Sequence, residues 1–373
     1  MDKRSATTIS LAAGTPPGSD HPNLELLTPR TKIRGADQAR LTPRNTAGPM
    51  TKKTLSRWRR LRLKTTDGIA RGLAQLSARL PLSLIHRVGT AVGWIFIHWP
   101  NRQRRNALIN IGLCLPELSP PEQTRLRDRN LVEFGKTYLE IGHLWLRPVD
   151  QVHALVREVR GAQLLQRQPG KGLIVLSPHL GAWELAGLHL ARQGPTAIFY
   201  KPQRYLDDLI LAARRRSGAE LAPITARGIR VLVQALERGD YVGVLPDQEP
   251  KENKGACFAP LFGIPAFTML LVQRLARRTG APVIFMFAER LPGAAGFRIH
   301  CLPAPEGIDS ADDLTAATAL NRGIEQCVRT CPDQYVWPYK RFRRRPESQP
   351  GIYDGPLSDA GVLPLIEQLR QSL

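Results

Sequence analysis

The feature that most constrains the fold of this chain is an alternation of short apolar runs with amphipathic segments between residues 171 and 302. The runs have the length and the apolar content of strands that are buried on both faces. The segments between them place apolar residues at helical spacing and are roughly 10 to 15 residues long. This order predicts an α/β fold with a central, mainly parallel sheet flanked by helices. The expected strands are KGLIVLS, PTAIFY, YVGVLPD, APVIFMFAERL and GFRIHCL.

The composition divides the chain into four regions. Residues 1–54 are rich in Thr, Pro, Gly and Arg without a sustained apolar period, which predicts a disordered polar leader. We expect residues 55–115 to form a membrane-associating helical segment, residues 116–350 the α/β domain, and residues 351–373 a C-terminal tail. The five cysteines are scattered, so we expect reduced, mostly buried thiols in a protein that stays in the cytosol.

An apolar run from Val88 to Trp99 bears on how the helical segment meets a membrane. It is shorter than the roughly 20 residues that a spanning helix needs. Two readings stay open: a buried core helix, or a helix in the membrane surface with Trp94, His98 and Trp99 at headgroup depth. The preceding LSRWRRLRLK has the composition of an interfacial basic helix. Further basic residues that we expect to meet lipid phosphates are Arg102, Arg104 and Arg105.

The charge of the chain favours an anionic partner. Lysine and arginine total 53 against 32 acidic residues, for a formal net charge of +21. Nucleic acid, an anionic membrane surface and an acidic substrate all fit such an excess. We expect no nucleic-acid partner, because the sequence lacks a zinc pattern, an RNP-like aromatic strand and a recognisable helix-turn-helix.

The stretch SPHLGAWEL, residues 177 to 185, places a histidine directly after a predicted strand and just ahead of a predicted helix. In open α/β sheets, ligands bind outside the carboxyl ends of the strands, so this position suits chemistry. Backbone N–H groups at the start of the helix are suited to help hold an oxyanion. The alternative is that His179 and Glu184 are ordinary polar residues at the start of a helix.

The spacing of the two residues limits how they can act together. Five residues along one helix separate two side chains by about 140°, so the pair can meet only if His179 lies in the turn before the helix. A carboxylate bonded to one imidazole nitrogen would fix the tautomer and leave the other nitrogen basic. His179 could then take a proton from a hydroxyl that attacks an acyl carbonyl. The chain has no G-x-S-x-G serine elbow, which favours direct transfer over an acyl-enzyme.

With this motif, the chain resembles the lauroyl/myristoyl lipid A biosynthesis acyltransferase family, within the lysophospholipid acyltransferase superfamily. The superfamily signature is H-x4-D/E, and HLGAWE stands in its place here. Three further blocks follow in the family's order, and the resemblance extends from about residue 55 to about residue 350. These blocks are RGIRVLVQALERGDYVGVLPDQ, KGACFAPLFGIPAFT and PDQYVWPYKRFRRRP.

The resemblance implies an enzyme that moves a fatty acyl chain from an acyl-carrier-protein or coenzyme A thioester to a hydroxyl of a lipid A precursor. It would work at the cytoplasmic face of the cell inner membrane, with His179 as general base and Glu184 as its orienting partner. The implied partners are the membrane lipid acceptor, the acyl carrier protein and the anionic inner-membrane surface. No metal or cofactor is required beyond the acyl donor. Related acyltransferases that act on a lysophospholipid, an ornithine lipid or another glycolipid are the alternative.

The sequence departs from the family pattern in its polar leader before residue 55, which has no recognised counterpart, and at two places within the matching blocks. Ala182 stands where the family often has Asn, so one polar contact near the base is missing. Tyr339-Lys340-Arg341 stands where a His or Arg often begins the closing basic run. These differences leave the acceptor more open than the reaction.

Polar and basic candidates for substrate binding each have a structural alternative. Asp247 and Gln248 end a predicted strand on the same side of the sheet as the motif histidine, and they either hold the acceptor sugar or form a turn. Lys201, Arg227 and Arg230 are suited to a phosphate, or else form a solvated basic face.

The remaining candidates are aromatic or belong to the last basic run. Phe258 or Phe262 lines an acyl groove, or both are core residues. Lys340 and Arg341 open the densest basic run of the chain. This run either contacts lipid A phosphates or the acidic carrier protein, or is a flexible anion-binding tail.

Overall fold

The computed structural model describes residues 57–202, 206–347 and 349–372, with side chains from residue 65 onward. The predicted leader and the side chains of the predicted interfacial basic helix therefore lie outside the described residues. The helices are α1 (Arg57–Arg79), α2 (Leu82–His98), α3 (Arg102–Cys114), α4 (Pro120–Leu146), α5 (Val149–His153), α6 (Trp183–Gln193), α7 (Asp207–Arg215), α8 (Ala226–Glu237), α9 (Leu271–Thr279), α10 (Asp313–Thr330) and α11 (Asp359–Ser372). The strands are β1 (Val156–Arg160), β2 (Leu173–Leu176), β3 (Thr196–Tyr200), β4 (Glu220–Pro223), β5 (Tyr241–Val244), β6 (Ala256–Leu261), β7 (Ile264–Met269), β8 (Val283–Arg290) and β9 (Phe297–Pro303).

A seven-stranded sheet in the order β1-β9-β8-β2-β5-β3-β4 organises the fold. Neighbouring strands run parallel except β8 and β9, which are antiparallel. The prediction of an α/β fold with a mainly parallel sheet is therefore confirmed. The five expected strands are present as β2, β3, β5, β8 and β9. Strands β2 and β5 are parallel neighbours, which brings their carboxyl ends to the same edge.

The sequence does not predict the other four strands. β1 and β4 lie at the two edges of the sheet, and their sequences VREVR and ELAP lack the continuous apolar run of a central strand. β6 and β7 form a separate antiparallel hairpin in which Pro260 is opposite Pro265. Proline lacks a backbone donor, so a run that contains it is a weak strand signal.

The core lies on both faces of the sheet. Ile174 and Leu176 of β2 belong to one buried cluster, whereas Val175 between them belongs to a second. Successive side chains of a strand point to opposite faces, so the two clusters fill the two sides. Four of the five cysteines are buried, which confirms the expectation of mostly buried thiols.

Helix α2 packs against α4 with the two backbones in close contact. Gly89 and Gly93 of α2, four residues apart, meet Gly135 of α4. A Cβ on Gly93 would overlap the Cα of Val132, and a Cβ on Gly135 would overlap the carbonyl oxygen of Gly89. Small residues at this spacing let two helices approach more closely than larger side chains allow. Because α4 also contacts α6 and α7, this packing ties α2 directly to the sheet domain.

Helices α3 and α11 are parts of the core. Leu108 and Ile111 of α3 are fully buried. Helix α11, which lies in the predicted C-terminal tail, packs the Ile366 side chain against Gly112 of α3. Residues 359–372 therefore close the core rather than extend from it as a free tail.

Two of the three arginines that we expected to meet lipid phosphates hold this C-terminal segment instead. Arg104 forms an ion pair with Asp359 at 2.6 Å. Arg105 is buried and donates to the carbonyl oxygen of Gly355 at 3.0 Å. Arg102 is exposed, so it alone of the three keeps a guanidinium that can reach an external anion.

Helix α2 has features of both predictions for its apolar run, a buried core helix and a helix in the membrane surface. Leu82, Ile85 and His86 are buried on one side, whereas the other side is open to solvent. Among the described residues, no helix is both long and apolar enough to cross a membrane. We call the exposed apolar side chains of α1, α2 and α4, together with Trp99 at the end of α2, the outer face. Its members are Ile69, Leu73, Leu76, Leu84, Val88, Trp94, Ile95, Trp99 and Tyr138.

A buried ion network anchors the end of β8 to α4. The guanidinium of Arg290 donates to the carboxylate of Glu140, through Nε at 2.9 Å and also through Nη2, and its Nη1 donates to Glu133 at 2.7 Å. Only 1 % of the Arg290 side chain and 0 % of the Glu140 side chain are exposed. Burial alone would raise the pKa of Glu140, but Arg290 and the nearby His86 lower it below its ordinary value. The stability from this carboxylate is therefore present above its unfolded-state pKa and is lost as pH falls through the folded-state pKa.

Replacement of Glu140 by alanine should destabilise the protein strongly. Loss of one member of a buried ion pair leaves the other charge unpaired, which costs about 3–5 kcal/mol in the free energy of unfolding. The matched control is Glu117→Ala, because Glu117 pairs with Arg329 at 2.6 Å and about half of each side chain is exposed. An exposed pair contributes about 0–1 kcal/mol. Urea unfolding measures both values, and equal losses would contradict the anchoring role of the network.

Candidate active site

His179 and Asp247 meet at the carboxyl edge of the sheet. His179 lies in the turn after β2, and Asp247 follows the neighbouring strand β5. The His179 Nδ1 lies 2.7 Å from Oδ1 of Asp247, and the His179 backbone N–H donates to Oδ2 at 3.0 Å. One carboxylate thus holds both the ring and the backbone of the histidine. The ring stays accessible, with 17 % of the His179 side chain exposed, whereas Asp247 is buried.

The surroundings of Asp247 keep its carboxylate ionised. Burial alone would raise the pKa of Asp247, but the charge and the hydrogen bonds of His179 lower it below its ordinary value. The nearby Tyr335 is buried, which raises the pKa of its hydroxyl, and the charge of Asp247 raises it further. An ionised carboxylate only accepts hydrogen bonds, so Nδ1 of His179 carries a hydrogen, and in the neutral ring Nε2 then carries the lone pair. A general base needs this tautomer.

Backbone hydrogen bonds fix the loop that carries His179. The N–H groups of residues 180, 181 and 182 donate to the carbonyl oxygens of Pro178, Gln334 and Ala288, respectively. These three groups precede α6 and are already bonded within the protein, so the expectation that N–H groups at the helix start hold an oxyanion stays a prediction for Trp183 and Glu184. Gly181 has a φ of +59°, and a Cβ there would overlap the carbonyl oxygen of Ala288. The glycine in HLGAWE is therefore required by geometry.

Glu184 pairs with Arg214 rather than with His179, which corrects the expected pairing. Arg214 of α7 donates to the Glu184 carboxylate through Nη2 at 2.6 Å and through Nε at 3.2 Å. Burial alone would raise the pKa of Glu184, but Arg214 lowers it below its ordinary value. The physical reason is that Glu184 is the second residue of α6 and its side chain reaches α7, whereas His179 precedes the helix and turns to Asp247.

Gln248 lies against the second nitrogen of the histidine. Its Nε2 is 3.2 Å from Nε2 of His179. The indole of Trp183 also packs beside the imidazole, with ring centroids 5.2 Å apart. Of the two residues expected to hold an acceptor sugar, Asp247 does not fit that role, because both of its oxygens are bonded by His179. Gln248 stands next to the nitrogen that can react.

The basic candidates lie along the same edge of the sheet. Lys201 follows β3 and is exposed. Partial burial lowers the pKa of Lys201, and the positive charges of Lys251 and Arg343 lower it further. Lys251 and Arg343 therefore each lie close enough to repel Lys201, and we call the three residues the cationic rim. Arg227 and Arg230 are exposed on the first turns of α8, which begins beyond the carboxyl end of β4.

The two aromatic candidates lie on the β6–β7 hairpin in different settings. Phe262 borders a small, mostly apolar crevice together with Trp337 and Phe342. Phe258 packs against Phe267 within the hairpin, with ring centroids 5.2 Å apart. Of the two, Phe262 is the one that lines this crevice, and a role of either residue in an acyl groove stays a prediction.

The two candidates from the closing basic run are parts of the fold. Arg341 is buried and donates to the carbonyl oxygen of Phe267 at 2.9 Å and to Oγ1 of Thr268 at 3.1 Å. It therefore holds the hairpin, which does not fit a flexible anion-binding tail. Lys340 is half-buried and its ammonium lies 5.4 Å from the centre of the Tyr353 ring.

Residues that organise the site escape notice in the sequence because their partners are distant in the chain. Arg214 is 30 residues from Glu184. Gln334 bonds both the N–H and the carbonyl oxygen of Arg290, which is 44 residues away. A helix rich in arginine and a glutamine before an aromatic run are the signals available, and neither specifies a partner.

A histidine that is braced by a buried aspartate at the carboxyl edge of a parallel sheet defines an acid–base site for a ligand that enters from that edge. The chain belongs to the bacterial lipid A biosynthesis acyltransferase family, whose sequence profile matches residues 56–344. The protein is therefore an acyltransferase, and the resemblance of its motifs is confirmed.

Similar proteins with described activities occur in Escherichia coli strain K12. The lipid A biosynthesis lauroyltransferase is 28% identical over 288 residues, which cover 76% of this chain and 92% of that protein. The lipid A biosynthesis palmitoleoyltransferase is 28% identical over 285 residues, which cover 76% of this chain and 92% of that protein. The lipid A biosynthesis myristoyltransferase is 28% identical over 249 residues, which cover 65% of this chain and 76% of that protein.

Replacement of Gly181 by alanine should cost more stability than the same change at Gly170. Both glycines have a positive φ, which costs about 1–2 kcal/mol for an alanine, but no atom lies within 4 Å of a Cβ at Gly170. At Gly181 the Cβ also displaces the carbonyl oxygen of Ala288, so the loop must leave β8. Thermal unfolding compares the two variants, and equal losses would mean that the loop does not depend on this contact.

Proposed function

We propose that this acyltransferase moves a fatty acyl chain from a thioester to a hydroxyl of a lipid A precursor, with His179 as the general base and Asp247 as its orienting partner. The observation that carries the proposal is the 2.7 Å contact between His179 Nδ1 and Asp247 Oδ1 at the carboxyl edge of the sheet. Membership of the lipid A acyltransferase family supports the reaction and the class of acceptor.

The proposed reaction uses the two imidazole nitrogens for different tasks. Asp247 holds the hydrogen on Nδ1, so Nε2 takes the proton from the acceptor hydroxyl as its oxygen attacks the thioester carbonyl. The tetrahedral intermediate then expels the thiolate, which takes the proton from Nε2. The products are an ester of the acceptor and a free thiol, and His179 returns to its starting state.

Glu184 has a supporting role in this proposal. Its carboxylate is bonded by Arg214, so it fixes the start of α6 against α7. The helix begins four residues after His179, and its position therefore sets where the histidine loop ends. In the H-x4-E motif, the histidine is then required for the reaction and the glutamate is required to hold the start of α6.

The cationic rim suits an anionic group of a substrate. The charges of Lys251 and Arg343 both act on Lys201, so an anion beside Lys201 would be stabilised by all three residues. The phosphates of a lipid A precursor carry such charge, and so does the phosphopantetheine arm of an acyl carrier protein or coenzyme A. We infer that the rim guides one of these toward His179.

The outer face supports a membrane location, and we infer that it lies on the anionic surface of the inner membrane at its cytoplasmic side. Large apolar patches on a protein surface mark contact sites. Trp94 and Trp99 have the amphipathic rings that favour the headgroup region, and their exposed fractions are 59% and 73%. Arg87 of α2 and Arg102, the first residue of α3, are also exposed, and they can meet lipid phosphates.

The variants His179→Ala and Asp247→Asn should each lower kcat by about 10²–10⁴-fold, because the first removes the base and the second allows the wrong tautomer. The matched control is Asp150→Asn, a carboxylate on α5 whose side chain is 98% exposed, and its rate should match that of the wild type. The assay measures transfer from an acyl-carrier-protein thioester and a coenzyme A thioester to a lipid A precursor. Mass spectrometry then follows lipid A from a strain that lacks the protein and is complemented with each variant.

The outcomes separate the proposed roles. Lipid A from the deletion strain should lack one secondary acyl chain, and wild-type protein but neither active-site variant should restore it. Unchanged lipid A with altered lysophospholipids, ornithine lipids or other glycolipids would instead favour those acceptors. A folded Glu184→Gln variant should keep more activity than Asp247→Asn. If it loses as much kcat, Glu184 would have a direct role in the reaction and not only a structural role through its ion pair with Arg214.

Replacement of Trp94 and Ile95 by aspartate should weaken membrane binding. Each large apolar side chain contributes about 1.5–3 kcal/mol when fully buried, so the double variant should bind at least about tenfold less tightly. Sedimentation with vesicles of phosphatidylglycerol and phosphatidylethanolamine measures this. The control is Leu314→Asp, since Leu314 is 54% exposed but lies on α10. Equal binding by both variants and the wild type would exclude the outer face as the contact surface.

A further inference from the structure

Gln248 occupies the position where the acceptor hydroxyl has to act. Its amide nitrogen lies 3.2 Å from Nε2 of His179. It follows Asp247 directly in the chain, so the strand end that braces one imidazole nitrogen also delivers a side chain to the other. The side chain is half-buried, which leaves it room to turn.

The chemistry of the neighbours assigns the direction of this contact. The ionised Asp247 accepts from Nδ1, so Nε2 of the neutral ring carries a lone pair and can only accept. The group of Gln248 that faces it must then be the NH2 end of the amide, donating to the lone pair. In the absence of substrate, the amide N–H therefore satisfies the nitrogen that later takes the proton.

The loop from His179 to Ala182 has no backbone donor left for a substrate. The N–H of His179 donates to Asp247. The next three N–H groups, of residues 180 to 182, donate to carbonyl oxygens of the protein. These four groups are therefore committed, and they cannot serve a developing oxyanion without breaking the loop. A side-chain donor beside Nε2 can supply what the loop does not.

We propose that Gln248 is a second catalytic residue, whose amide leaves Nε2 when the acceptor hydroxyl binds and then donates to the thioester carbonyl oxygen. This inference rests on the proposed acyl transfer. As the hydroxyl oxygen attacks the carbonyl carbon, its proton moves to Nε2 and the carbonyl electron pair moves to oxygen, where the amide N–H stabilises the oxyanion. Collapse of the intermediate breaks the carbon–sulfur bond, and the leaving thiolate takes the proton from Nε2.

The distances are compatible with one side chain doing both tasks. A hydroxyl that is bonded to Nε2 lies about 3 Å from it, and the carbonyl under attack lies about 3 Å further on. An amide that starts 3.2 Å from Nε2 reaches the carbonyl oxygen by rotation about its own side-chain bonds. The acceptor therefore exchanges places with the amide without movement of the backbone.

The test compares Gln248→Ala and the isosteric Gln248→Glu with the wild type across the pH range. Both variants lack the amide donor, so kcat should fall by about 10²–10³-fold at the pH optimum while KM changes by less than about threefold. Both should also move the acid limb of kcat/KM to higher pH, because the amide donates to the neutral ring and opposes its protonation. The shift should be larger for glutamate, which accepts from the protonated ring.

A control variant and a measurement of folding distinguish loss of the amide donor from loss of structure. Gln168→Ala removes an exposed glutamine before the amino end of β2, and it should leave kcat and the pH profile unchanged. Circular dichroism checks that each variant is folded. A folded Gln248→Ala with kcat within about threefold of the wild type and an unmoved acid limb would overturn the inference. A wild type that transfers no acyl chain, or an active His179→Ala, would instead refute the proposed function itself.

Discussion

The structure depends on the parallel pairing of β2 with β5. This pairing puts the ends of two strands side by side, and the carboxylate of Asp247 then bonds both the ring and the backbone of His179. The buried charge is acceptable because each oxygen has a partner. The contact therefore stabilises the loop and prepares the ring at the same time, and neither effect can be altered alone.

The arrangement also explains why the pairing that the H-x4-E spacing suggests is not the pairing in the structure. The H-x4-E spacing suggests that histidine and glutamate face each other, but α6 begins between them. Glu184 is then carried toward α7 and paired with Arg214. Asp247, which is 68 residues from His179, takes the place beside the ring because a parallel sheet brings successive strand ends to one edge. The carboxylate that matters for the tautomer comes from the sheet.

The sequence predicts the central elements well and the contacts between them poorly. Strands such as β2, β5 and β8 are continuous apolar runs, and α4 has its apolar residues at helical spacing, so periodicity identifies them. The edge strands and the β6–β7 hairpin contain charges or prolines, which obscure the pattern. The position of His179 follows from the rule for strand ends. The burial of Arg341 does not, because an arginine in a basic run gives no sign of the carbonyl that receives it.

The close glycine contact between α2 and α4 has a mechanical consequence. Two helices that touch backbone to backbone cannot slide past each other without a clash, so the exposed side of α2 keeps a fixed position relative to α4. If that face rests on a bilayer, the elevation of the imidazole above the lipid is set by the fold and cannot be adjusted by a flexible joint. An acceptor must then either rise out of the leaflet to the histidine or wait for the whole enzyme to rock toward it.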